Sequence, residues 1–417
     1  MAESEAITNV CRDAPGCARL DRTDAPSPSL AASRIAGLVG LSFGHTVCDF
    51  YATFLTPLLP LLMTHFKMKA LLGTILVAAV GVSGSTLQPL IGAIGGTGRS
   101  KLLIVLGMLL MTVFFSSLGF APNLPALFVI LVVGALGCSL FHPHAASLAT
   151  RISAGRRGMA MSLFTVAGTA GIFLSPKIVP RIVTYWPEWG LKALLLTLPL
   201  GLLCVLVLWV TPMATPKPSG PERTEWRGLI AGDVRGLALL VVSAVLYSLT
   251  ICGINTFLPL MLCNERNFTL TQAGDMLAWL ILAGAVGVVL GGYLSDRIGR
   301  WRVIMTAYLL SVPLFTGFLM THGPWAQVLL MAGGMALWSA QPCTITLAQE
   351  LAPHASRIAS GMVMGFAWGM AGVFLPIFGM IADWRGFSYS MHWIVLLPLA
   401  AAVALFVMKR YARSAWI

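Results

Sequence analysis

The chain has 417 residues, 57% of them hydrophobic and 10% charged, with a mean hydropathy of +0.85. A soluble domain carries about 25% charged residues, so a soluble enzyme, a nucleic-acid binder and a disordered protein are excluded, leaving a polytopic membrane protein. The net charge of +12 reports topology rather than a polyanionic partner, as the positions of the basic residues show.

Residues 1–33 are polar and punctuated by Pro15, Pro26 and Pro28. They hold no apolar stretch behind a basic start and are expected to form a disordered cytoplasmic tail without a cleavable signal. From Ile35 onward, apolar segments long enough to cross about 30 Å of hydrocarbon follow one another. Twelve are expected, near 35–63, 70–94, 102–120, 124–150, 158–182, 190–211, 235–262, 272–294, 303–321, 324–350, 358–381 and 389–408. The longest polar break, 213–234, carries Pro216, Pro218 and Pro221. It divides the chain into bundles at 34–212 and 235–417, joined by a cytoplasmic linker.

With the N-terminus in the cytoplasm, most of the 27 Lys and Arg fall on that side. They lie in the tail, after the second helix (Arg99, Lys101), after the fourth (Arg151, Arg156, Arg157), in the linker, after the eighth (Arg297, Arg300, Arg302) and at the C-terminus (Lys409, Arg410, Arg413). This bias places both termini inside. Of the eight Cys, six sit in apolar runs, where Cys behaves as a small hydrophobe, and reduced thiols are expected.

The halves echo each other at an offset of about 200 residues. Thr53-Phe54-Leu55 matches Thr256-Phe257-Leu258, Gly92 matches Gly292, and His142-Pro143 matches Gln341-Pro342. A duplicated six-helix unit of this kind builds a transporter with its substrate site between the halves near the midplane.

Polar residues inside such helices are functional candidates. In the first helix His45 and Asp49 are four apart and share a face. Asp49 is the clearest carboxylate within a hydrophobic segment and the candidate proton carrier, with His45 tuning it. The second helix carries Gln88-Pro89. The fourth carries His142-Pro143-His144, read either as imidazoles satisfying the backbone gap that Pro143 leaves or as protonatable, anion-binding groups lining a cavity. The His-x-His pair alone is weak for a metal. In the fifth helix Lys177 is either a snorkelling residue or a cationic substrate contact. Gln88 and Gln341 beside their prolines are kink devices and cavity-lining candidates.

Gly292-Tyr-Leu-Ser-Asp296-Arg297-Ile-Gly299-Arg300-Trp-Arg302 resembles the loop signature of the major facilitator superfamily. In that role Gly292, Asp296, Arg297, Gly299 and Arg300 form a conformational gate. Asp296 either pairs with a neighbouring Arg or sits at a helix N-terminus. The first-half counterpart has Gly96 where the Asp would stand. No phosphate-binding loop, dinucleotide fingerprint or hydrolase triad occurs, so no cofactor and no enzymatic activity are expected.

His45 with Asp49, the run Leu87-Gln88-Pro89-Leu90-Ile91-Gly92, the run Leu140-Phe141-His142-Pro143 and the glycines of the fifth helix together resemble the fosmidomycin-resistance branch of that superfamily. The resemblance implies a monomeric, proton-driven exporter of the bacterial inner membrane moving a small anionic or amphiphilic compound. Uptake of an anionic nutrient is the alternative, and an intramembrane metal-binding protein or enzyme using the helix-four histidines is a weaker one. One departure is that His144 stands where the family commonly has Glu.

Overall fold

The computed structural model describes residues 28–88, 90–91, 96–152, 157–213 and 233–411. The expected tail, most of the linker and the Gly92 region lie outside them. Eleven helices among the described residues are long and apolar enough to cross a membrane, and a shorter apolar one joins them. In chain order they are α1 (Pro28–Ala52 continuing as Leu55–His65), α2 (Ala70–Thr86), α3 (Gly96–Ser116), α4 (Leu124–Ile152), α5 (Arg157–Tyr185) and α6 (Gly190–Val210). The second set is α7 (Val234–Glu265), α8 (Leu270–Ile298), α9 (Arg300–Met320), α10 (Pro324–Leu351), α11 (Ile358–Arg385) and α12 (Phe387–Tyr411).

Prolines explain the interruptions. Pro57 has no N–H for the Thr53 carbonyl, and α1 breaks between Ala52 and Leu55. Pro342 does the same to Trp338, and α10 breaks at Ser339. The widened turn Val82–Thr86 in α2 and its counterpart Met362–Phe366 in α11 are π-helical. Such turns concentrate at functional positions.

Buried apolar side chains form two cores. One is drawn from Leu41 through Met213 with Leu260, the other from Leu237 through Met408 with Ala70. Within bundles the helices meet at glycines, as small residues allow. A Cβ on Gly107 would lie 2.5 Å from the Gly137 carbonyl oxygen, and one on Gly171 2.1 Å from that of Thr46. The second contact, with Thr46 Oγ1 donating to Ala167 O at 2.8 Å, fixes α5 against α1.

Between the bundles, α5 meets α8 and α11 meets α2. At the end of the molecule remote from residues 28 and 411, here called the far end, both contacts are close, and along α2 and α11 contact continues to the π-helical turns, where a Cβ on Gly369 would lie 2.6 Å from Thr86 Oγ1. A Cβ on Gly274 would lie 2.2 Å from Pro176 O, and one on Gly379 2.2 Å from Thr74 Oγ1. Toward the near end, a Cβ on Gly292, Gly361 or Gly365 would meet nothing within 4 Å. The bundles are therefore sealed together at the far end.

Candidate functional site

At mid-depth of the first bundle, α1 and α4 bring three titratable side chains together. Asp49 Oδ2 lies 3.3 Å from His45 Nε2, and Asp49 Oδ1 lies 3.1 Å from His142 Nε2. One carboxylate thus bridges two imidazoles. His45 is held from behind, since its Nδ1 lies 2.7 Å from the Phe164 carbonyl oxygen of α5. That contact makes Nδ1 the protonated donor and fixes the ring. His45 stacks on Phe164 at 4.0 Å between centroids and meets His142 edge-on at 5.0 Å. Gly168 of α5 makes room, because a Cβ there would lie 2.4 Å from His45 Cε1 and 2.6 Å from Asp49 Oδ2.

The burial is graded. The His45 and Asp49 side chains are 10% and 11% exposed, whereas that of His142 is 23% exposed. His142 is the member reached from outside the cluster. A carboxylate at this depth is costly unless it is paired, and two imidazoles from two helices supply the pairing.

His144 does not join this cluster. Two residues along a helix turn a side chain by about 200°, so His142 and His144 point to opposite faces. His144 is buried, and its Nε2 has no hydrogen-bond partner among the described residues. The two candidate substrate groups of α4 therefore stand on different faces of the helix.

Lys177 pairs with a carboxylate of the other bundle. Its Nζ lies 3.1 Å from Asp275 Oδ1 of α8 and 4.9 Å from the Trp279 ring centroid. Arg181, one turn on, donates to both Asp275 oxygens at 3.0 and 2.7 Å. The two cations of α5 hold one carboxylate of the other bundle at the far end. A matching contact joins α11 to α2. Asp383 accepts from the backbone N–H of Ala70 at 2.7 Å and of Leu71 at 3.0 Å, a carboxylate capping a helix N-terminus. Sequence reasoning passed over Asp275, Arg181 and Asp383. The signals were an i,i+4 cation pair on α5 and acids within one or two turns of helix ends.

Gln88 Nε2 donates to Gly84 O at 2.8 Å, taking up a carbonyl of the π-helical turn. Gln341 borders a small recess of about 10 Å³ with Tyr247, Thr344 and Trp368. The buried Tyr247 hydroxyl has no hydrogen-bond partner among the described residues. A bowl of about 710 Å³ at the far end, lined by His65, Glu188, Trp189 and Asn264 among others, contains none of the cluster residues.

In the loop between α8 and α9, Gly299 has φ +88, a conformation that favours glycine, and separates the two helices. Arg297 lies over Tyr293 at 4.5 Å. Asp296 forms no ion pair among the described residues. Arg300 instead pairs with Glu350 of α10 at 2.5 Å. The tie at this loop is thus an Arg–Glu pair between α9 and α10.

The sequence of residues 41–376 matches the model of the Major Facilitator Superfamily. The chain is 27% identical to the fosmidomycin resistance protein of Escherichia coli K12 over 89% of its own length and 92% of that protein. It is 23% identical to the hexuronate transporter of the same strain, over 83% and 85% of the two chains. In structure it resembles the nucleoside transporter NupG, with a TM-score of 0.75 at 13% identity over 91% of this chain and 99% of that one. It also resembles a bacterial homologue of the human lysosomal transporter Spinster in an inward-facing, unoccupied conformation, with a TM-score of 0.73 at 16% identity over 91% and 97%. The chain belongs to the major facilitator superfamily and is a multi-pass membrane transporter, not an enzyme.

Proposed function

We propose that this transporter is a proton-coupled exporter of a small amphiphilic or anionic compound, acting as a monomer in the bacterial inner membrane with both termini in the cytoplasm. The observation that carries the reading is the bridged His45–Asp49–His142 cluster. Asp49 is the proton carrier, His45 holds it in place, and His142 is the arm that reaches substrate. A substrate that offers a hydrogen-bond donor competes with the proton for Asp49, which is what exchange requires. With the termini inside, the far end is the external face. The Asp275 and Asp383 contacts then seal the external side of an inward-open state, and Lys177 serves the seal. Arg300 and Glu350 brace the inner end of the second bundle. Gln341 lies on the wall of the second bundle, where it contributes a neutral polar contact to substrate.

A specific observation favours inward co-transport as a second reading. Two imidazoles around one carboxylate gain positive charge with every proton bound. An anion is attracted more strongly to the protonated cluster, so proton and anion bind together. The two readings differ in the sign of proton movement. Fosmidomycin, the compound in the relative's name, is the first probe. Added to the purified protein in weak buffer, it releases protons if the transporter exchanges and takes them up if it co-transports. Flux into proteoliposomes under an imposed pH gradient then gives the direction. Flux that ignores the gradient would overturn the proton-coupled reading.

A further inference from the structure

Behind the carboxylate cluster lie two thiols that proton coupling does not use, and they share His142 with it. Cys48 precedes Asp49 on α1, and Cys138 stands one turn before His142 on α4. Ligand atoms of Cys48, Cys138 and His142 all lie within 4.8 Å of one another. The sulfurs are enclosed, with Cys48 0% and Cys138 7% exposed, while His142 is partly open. Cys48 Sγ lies 3.4 Å from the thioether sulfur of Met111, which adds a further soft neighbour. Asp49 already contacts His142 Nε2, so an ion held by His142 Nδ1 would have the carboxylate–histidine pairing that orients metal-bound imidazoles.

We propose that Cys48, Cys138 and His142 form a binding site for one thiophilic cation of the zinc and cadmium class, with Asp49 orienting the imidazole. Two thiolates at about 2.3 Å from a tetrahedral ion stand about 3.7 Å apart, so closure from a spacing of at most 4.8 Å needs a shift of no more than about 1 Å. Binding displaces the two thiol protons to solvent and puts two thiolates and one imidazole on the ion. The fold does not demand this cluster. In the second bundle the positions aligned with His45, Asp49 and His142 are Ser248, Cys252 and Gln341, and those aligned with Cys48 and Cys138 are Ile251 and Leu337. That bundle packs without a thiol–imidazole set. The ion and the proton would compete for the same imidazole, which makes the site a means of stopping proton coupling.

The inference stands on donor geometry and does not depend on the transport direction. The test uses the full-length protein in detergent, with cadmium alone as the probe. Metal content after dialysis and thiolate-to-cadmium charge-transfer absorption are the readouts. We expect one tightly bound cadmium per chain in the wild type, and the same in a variant with the other six cysteines changed to serine. The Cys48→Ser/Cys138→Ser variant loses affinity by about a hundredfold or more, since changes merely beside a metal ligand cost 10–100-fold. Equal binding by that variant, or no stoichiometric ion in a folded wild type, overturns the proposal. If the six-serine variant fails to fold, His142→Ala in the wild-type background serves instead, and unchanged cadmium affinity there also overturns it.

Discussion

Gly274→Ala is expected to open the far end of the molecule. The added carbon would lie 2.2 Å from Pro176 O, against an ordinary contact of at least 3.4 Å. The obstacle is backbone, so α5 and α8 must separate by about 1.2 Å there. The Arg181–Asp275 contact would then lengthen from 2.7 Å and the Lys177–Asp275 contact from 3.1 Å, both past hydrogen-bonding range. The side chains involved are 28–48% exposed, so each ion pair is worth no more than about 0.2–1 kcal/mol. Overpacking adds about 1–3 kcal/mol. Together they bias against the sealed state by about 1.4–5 kcal/mol, roughly 10- to 5,000-fold in population. Spin labels at Tyr185 on α5 and Asn264 on α7, with the native cysteines replaced by serine, report the separation by pulsed dipolar spectroscopy. The variant should add or enrich a longer distance. Gly361→Ala on α11 meets open space and should leave the distribution unchanged. An unchanged distribution in folded Gly274→Ala would refute the claim that α5–α8 contact holds this end shut.

Asp383→Ala removes the carboxylate capping α2 across the bundle interface, worth about 0.3–1 kcal/mol, and should shift the same distance distribution modestly. Combined with Asp275→Ala, its effect should exceed that of either change alone. Gly168→Ala puts a carbon 2.4 Å from His45 Cε1. It should lower the thermal unfolding temperature through about 1–3 kcal/mol of overpacking and reduce proton-coupled flux at least tenfold by displacing His45 from Asp49. Retained coupling would show that the His45–Asp49 geometry is not required. A double-mutant cycle on Arg300 and Glu350 should give a coupling of about 0.2–1 kcal/mol in thermal stability; zero coupling would make their 2.5 Å contact energetically idle.

Much of the architecture is legible because a bilayer imposes length and charge rules on every helix. Apolar run length locates the helices, and the Gly292–Arg302 signature with the half-repeat identifies the fold class. The i,i+4 spacing of His45 and Asp49 likewise puts both on one face of α1. Joining them to His142 requires the packing of α1 against α4, which no local pattern specifies. The separation of His144 from His142 follows from helix geometry alone and was open to inference. Lys177 is different: its partner Asp275 is 98 residues away, and whether a lone intramembrane cation faces substrate or a carboxylate depends on how two bundles meet. The Cys48–Cys138 pair was hidden for the same reason, since each looks like filler in its own helix.

The central claim is that Asp49, bridged by His45 and His142, carries the coupled proton. It is tested most directly by proton release or uptake on adding fosmidomycin to purified wild-type protein and to Asp49→Asn in weak buffer. A proton change in the wild type that is absent from a folded Asp49→Asn variant still able to bind the compound is the predicted result. An undiminished proton change in Asp49→Asn would contradict the account.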